Sequence, residues 1–151
     1  MRAFAIGNFL QGAAEVLQVA QKVRGSIDSA ESDPYEQLVK YESVAHHPTS
    51  FYVDVLHVRF IARFEYVKHM NQGREFTSGQ YAFFEKHGQD EKRADYVVRF
   101  LAPNIVLTGD GEVIELPPIN DGGGHQVGRV RSAIARNLLG YVIDNLETWS
   151  F

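Results

Sequence analysis

The chain has 151 residues, 44% of them apolar and 23% charged, with a formal net charge of −4 and no cysteine. That length suits one domain able to bury a core, and the composition is that of a folded chain. The charge argues against general nucleic-acid binding. The missing thiols exclude disulfides, iron–sulfur clusters, cysteine zinc sites and thiol nucleophiles.

Residues 3–24 predict an amphipathic helix, because Ile6, Phe9, Leu10, Ala13, Leu17, Ala20 and Val23 or Arg24 recur at three- and four-residue spacing. Gly25 supplies a natural stop. Asn8, Gln11 and Glu15 interrupt the apolar residues, so no classical signal peptide is expected. No stretch approaches the roughly 20 apolar residues of a membrane span, and the expected location is the cytoplasm or a virus particle. An acidic connector, 26–33, leads into Asp33-Pro34-Tyr35-Glu36, which has the pattern of a capping box with proline at the first helical position. A short second helix is expected from there through Tyr35, Leu38 and Val39 to about Ala45, ended by Pro48. His46 and His47 in its last turn would favour the helix dipole.

The chain is organised around residues 51–68, FYVDVLHVRFIARFEYVK. The run has no Gly, Pro or Asn and is rich in β-branched and aromatic residues, so it reads as one very long strand. Leu56, Val58, Phe60, Ala62, Phe64 and Tyr66 share one parity, with His57, Arg59, Arg63 and Glu65 on the other. Before Leu56 the phase reverses, with Phe51, Val53 and Val55 apolar. The reversal predicts a bulge or a passage between two packed surfaces.

Turn chemistry at 70–74 predicts a hairpin and a return strand over about 75–86, with Gly79 as a bulge or bend. HGQDEKRAD reads as a charged loop, and 96–102 as a further strand. Asp110-Gly111 lies between two apolar runs and predicts another hairpin, which Pro117 and Pro118 stop. After a glycine-rich link, Val127, Val130, Ile134, Leu138, Tyr141, Val142 and Leu146 form a helical stripe that Leu139 and Ile143 widen. Gly140 within it reads as a point of close packing. The expected architecture is a single α+β domain, 1–151. It comprises an N-terminal helical region (1–47), an antiparallel meander of about five strands (51–117) with a long first strand, and a C-terminal helix (126–147).

Three sets of residues are candidates for function. Gly123, Gly124 and His125 precede a helix whose first turns carry Arg129 and Arg131. Backbone amides at a helix start, joined by two guanidinium groups, suit a phosphate or carboxylate, although P-loop and G-x-G-x-x-G spacings are missing. A plain hinge with the arginines paired elsewhere is the competing reading. His57, Arg59, Arg63 and Glu65 would line a pocket if the sheet curls around them, with His57 or Glu65 as acid or base. The competing reading is a solvated face with charges paired across strands. Phe4, Phe9, Phe51, Val53, Trp149 and Phe151 are candidates for contact with other chains.

No histidine pair has metalloprotease spacing and no G-x-S-x-G occurs, so neither metal nor cofactor is expected. The favoured function is a non-catalytic structural protein, a subunit of a homo- or hetero-oligomer such as a virion or phage tail, with protein subunits as partners. A small ligand-binding protein or enzyme, and an anion-binding regulatory module, are the alternatives.

Overall fold

The computed structural model describes residues 3–28, 35, 37–101, 103–116 and 124–150. Its elements are helix α1 (Ala3–Gly25), strands β1 (Val39–Ser43), β2 (Phe51–Val55), β3 (Val58–Asn71), β4 (Arg74–His87), β5 (Asp90–Leu101), β6 (Ile105–Leu107) and β7 (Val113–Glu115), and helix α2 (Gly124–Asp144). The strands form one antiparallel meander in the order β1 to β7. The α+β meander is as expected from the sequence, with seven strands among the described residues in place of about five.

The long strand is the main correction. Residues 51–68 are not one strand but two, folded back on each other through Leu56 and His57, so that Val55 pairs with Val58 and Phe51 with Ala62. Both turn residues have positive φ, 48° and 73°, as a type I′ turn requires, although neither is Gly or Asn. A two-residue turn pairs residue i with i+3, so odd positions before it share a face with even positions after it. The phase reversal was therefore the hairpin itself. β3 nonetheless runs on to Asn71, and a second positive-φ pair, Gln72 and Gly73, turns it into β4.

The short second helix is also corrected. Residues 39–43 form β1, paired with β2 from Val39↔Val55 to Ser43↔Phe51. Among the described residues of that stretch one turn remains, at Tyr35, whose carbonyl accepts from the N–H groups of Leu38 and Val39. Asp33, Pro34 and Glu36 lie outside the described residues. Val39 and Tyr41 alternate with Lys40 and Glu42, so the two-residue period was present beneath the capping pattern. His46 and His47 sit in a loop, where His47 Nδ1 accepts from the Ser50 N–H at 3.1 Å.

The supposed charged loop 87–95 is largely strand. Gly88, with φ 64°, turns the chain, and β5 starts at Asp90. Register shifts between Ala82 and Phe84, where β5 inserts two extra residues. This bulge lies at Phe83, not at Gly79, which keeps regular pairing with Tyr66 and Phe100. Gly79 has a different reason to be small. A Cβ there would meet the Phe64 ring at 2.6 Å and Val16 at 3.4 Å, where α1 crosses the sheet.

One face of the sheet packs on both helices. Phe51, Val53, Phe60, Ala62, Tyr81, Phe83, Val98 and Phe100 supply the strands' side of the core. From α1 come Val16, Val19, Ala20 and Val23, and from α2 Val127, Val130, Ile134, Leu138 and Val142. Each helix presents a stripe at three- and four-residue spacing, and burial of each large aliphatic contributes roughly 1.5–3 kcal/mol. The α1 stripe is rotated from the expected one, leaving Leu10 exposed. Leu146 and Ile143 of the expected α2 stripe are exposed too. Nothing lies within 4 Å of a Cβ built at Gly140, so that glycine does not serve close packing.

Candidate functional site

The face turned away from the helices carries a charged lattice with aromatic rings set into it. Arg59 on β3 donates to both carboxylate oxygens of Asp54 on β2, at 2.8 and 2.9 Å, and to Glu42 on β1 at 2.6 Å. Its guanidinium also lies 4.3 Å from the centre of the Tyr52 ring. Arg63 forms a two-point pair with Glu91, which Lys86 approaches at 3.6 Å. Glu65 accepts from Arg93 at 2.7 Å and from Gln80 at 2.6 Å, and Gln80 accepts in turn from Arg99 at 3.2 Å. The Phe84 ring has the guanidinium groups of Arg63 and Arg93 at 5.1 and 5.5 Å.

Sequence parity explains the arrangement. Once β2 and β3 are a hairpin, Tyr52, Asp54, Arg59, Ile61, Arg63 and Glu65 share the outer face. Cross-strand neighbours there stand within reach of long side chains. The hydrogen bond from Arg93, with a smaller one from Gln80, holds the Glu65 carboxyl below the usual carboxylate range. Arg63 does the same for Glu91. Both acids are therefore held ionised by their partners, which makes them poor proton donors near neutrality. His57 is not part of this lattice. It occupies the exposed β2–β3 turn, so the structure does not bring the four expected pocket residues together.

The second feature is an arm. β2 follows β3 only as far as Ala62, and β5 follows β4 from His87 only back to Ser78. Between these limits, among the described residues, β3 and β4 continue as a two-stranded hairpin, from Lys68↔Thr77 to Asn71↔Arg74 at the turn. Among the described residues no strand pairs with the β2-side edge of β3 over 63–71. The arm exposes Tyr66, Met70 and Phe76, the last against His69 with ring centres 6.5 Å apart. α1 runs along β4 in the same direction. Gly12 sits against Thr77 with no room for a side chain, and the Ala20 carbonyl accepts from Tyr81 Oη at 2.9 Å.

The remaining candidates separate. Arg129 pairs with Glu112 and donates to Gln126 at 2.9 Å, whereas buried Arg131 donates to the Ser26 carbonyl at 2.8 Å. The two guanidinium groups thus reach different elements, as positions two apart on a helix must. Gly123 lies outside the described residues. Gly124 and His125 are in the first turn of α2, with side-chain positions beyond what is described.

The loop 108–112 is tied to α2 by more than Arg129. Asp110 accepts from the Thr108 hydroxyl at 2.5 Å, from Asn137 at 3.2 Å and from Arg136. The Thr108 hydroxyl, with Arg136 and Asn137, holds the Asp110 carboxyl well below its usual value.

Of the expected contact residues, Phe51 and Val53 are fully buried in the core, because the hairpin turns them under the helices. That corrects their reading as docking residues. Trp149 is 79% exposed just beyond α2. Phe151 and the side chains of Phe4 and Phe9 lie outside the described residues. Among the described residues no group of three potential metal ligands occurs, and no helix is long and apolar enough to cross a membrane.

No family model matches the chain, and neither curated proteins nor solved structures provide a match. From the sequence, the part of the long strand expected to pair elsewhere is Phe51 to Val55; that segment pairs within the sheet, and the edge without a described strand is that of β3 over 63–71. Its signal was the same phase reversal: a hairpin at 56–57 makes β2 far shorter than β3.

Proposed function

We propose that this chain is a non-catalytic subunit of a protein assembly, the class of role that virion and phage-tail components fill. The observation that carries the reading is the β3–β4 arm. Its β3 edge presents backbone donors and acceptors with no described strand beside them, and Tyr66 and Met70 on β3 and Phe76 on β4 lie exposed on the arm. Such edges are templates for strand addition, and a long one with exposed apolar side chains is a liability unless something covers it.

The outer face favours the same reading over a pocket enzyme. Arg59, Arg63 and Glu65 are each bound to partners across the strands, and Glu65 and Glu91 are stabilised in their ionised forms. That is the behaviour of a rigid surface, since an acid–base catalyst needs a pKa near its working pH.

Light scattering of the purified full chain across a wide concentration range tests the proposal. An average mass above the 17.0 kDa of one chain, rising with concentration, is expected. A single species of one chain mass throughout would contradict it.

A further inference from the structure

We infer that the partner of the β3 edge is a second copy of this chain, with the two β3 strands paired antiparallel about a two-fold axis at Val67. The inference rests on the assembly reading and assigns its partner and register. Three constraints, independent of one another, together select one alignment.

The first is hydrogen-bond parity. β3 is bounded by two-residue turns, so Val58 and Asn71 are the closing hydrogen-bonded residues of their hairpins. Odd residues of β3 therefore bond to β4. The N–H and C=O groups of Phe64, Lys68 and Met70 point to the other side. In a self-pair, even residues must face even residues.

The second is length. β2 occupies the edge up to Ala62, and the partner's arm ends at Asn71. Setting Arg63 opposite Asn71 of the second copy fills the edge from end to end. Sliding the partner two residues further would drive Asn71 of the second copy against Ile61, a position already held by Tyr52.

The third is side-chain chemistry. In this alignment Glu65 faces His69 of the second copy, Phe64 faces Met70, Tyr66 faces Lys68, and Val67 faces its own copy. These are an acid–imidazole pair, an aromatic–thioether pair, a cation–ring pair and an apolar pair. Sliding two residues the opposite way would instead set Lys68 against Lys68 and leave part of the edge bare. An isologous contact must be self-complementary, and this segment is so in one register.

The Val67 pair would be non-hydrogen-bonded, which puts the two Cα atoms about 4.5 Å apart, within disulfide range. The chain has no cysteine of its own, so Val67→Cys supplies a unique probe. Mild oxidation of Val67→Cys should yield a disulfide-linked species of two chains, whereas Val113→Cys, exposed on β7, should stay reduced. Lys68→Pro removes an edge-facing N–H and no bond to β4. It should raise the dissociation constant by about tenfold or more while leaving circular dichroism unchanged.

If the parent chain associates but the Val67→Cys variant stays reduced and Lys68→Pro associates as tightly, the pairing is overturned and assembly uses another surface. Equal cross-linking of the Val113→Cys variant would also overturn it. A parent chain that is monomeric at every concentration would overturn both the pairing and the assembly reading.

Discussion

Tyr81 is the point where the sheet, α1 and the loop before β2 are locked together, and its hydroxyl can be removed alone. Its ring packs against Phe51, Phe64 and Phe100 with centres 5.1, 6.2 and 5.4 Å away. Oη lies 2.9 Å from the Ala20 carbonyl and 2.7 Å from the Thr49 carbonyl, so one buried proton serves two acceptors. Tyr81→Phe keeps the ring and leaves those carbonyls without their donor. A lost net hydrogen bond and partial desolvation of the acceptors together predict a loss of about 1–2 kcal/mol. Tyr81→Ala adds a cavity and should cost about 3–5 kcal/mol.

Urea unfolding followed by far-ultraviolet circular dichroism, at one fixed protein concentration, measures both changes. The phenol also gives the effect a pH signature. Burial pushes its pKa well above the ordinary value, so its contribution is complete below about pH 10 and declines as the unfolded chain ionises above it. The gap between parent and Tyr81→Phe should therefore narrow at high pH. A Tyr81→Phe variant within about 0.5 kcal/mol of the parent, the scale of an ordinary surface change, would refute the argument.

Three further outcomes follow from local geometry. His57 holds φ 73° in an exposed turn, and His57→Gly should stabilise the fold by about 0.5–1 kcal/mol in the same urea assay, as the strain relieved exceeds the added chain entropy. Gly140→Ala should raise stability by about 1 kcal/mol, because the helix gains propensity and the methyl group meets nothing. The depressed pKa of Asp110 means that its stabilisation is present above the unfolded carboxyl value and is lost as pH falls through the folded one. Thermal melts from neutral pH downward should therefore show Asp110→Asn less stable near neutrality, with a shallower acid decline than the parent.

The sequence was most legible where period and turn chemistry agreed. The Asp110-Gly111 hairpin, the outer helices and the meander were all expected. The misreadings share a physical cause, in that a strong local signal hid a tertiary one. At 33–39 a good capping pattern masked the alternation of Val39 and Tyr41, and pairing with β2 overrode the helix. At 90–95 the side chains are polar on both faces, and only Ala94 reaches the core, so nothing local marks a strand that the ladder with β4 imposes. At 56–57 a type I′ turn formed without Gly or Asn, and that missed turn concealed both the buried fate of Phe51 and Val53 and the edge of β3 beside which no described strand lies. The Arg59, Arg63 and Glu65 pairings followed from the competing reading of a charged face, in which cross-strand partners satisfy one another.

Residue-resolved amide exchange on β3 tests the central claim most directly, because the strand alternates between two fates. The N–H groups of Arg63, Glu65, Val67 and His69 point to β4 and should be protected at any concentration. Those of Phe64, Lys68 and Met70 point to the open edge, and the account predicts that they become protected as concentration rises and the chain associates. Rapid exchange at these positions in the associated state, beside protected odd neighbours, would show a bare edge and contradict the account.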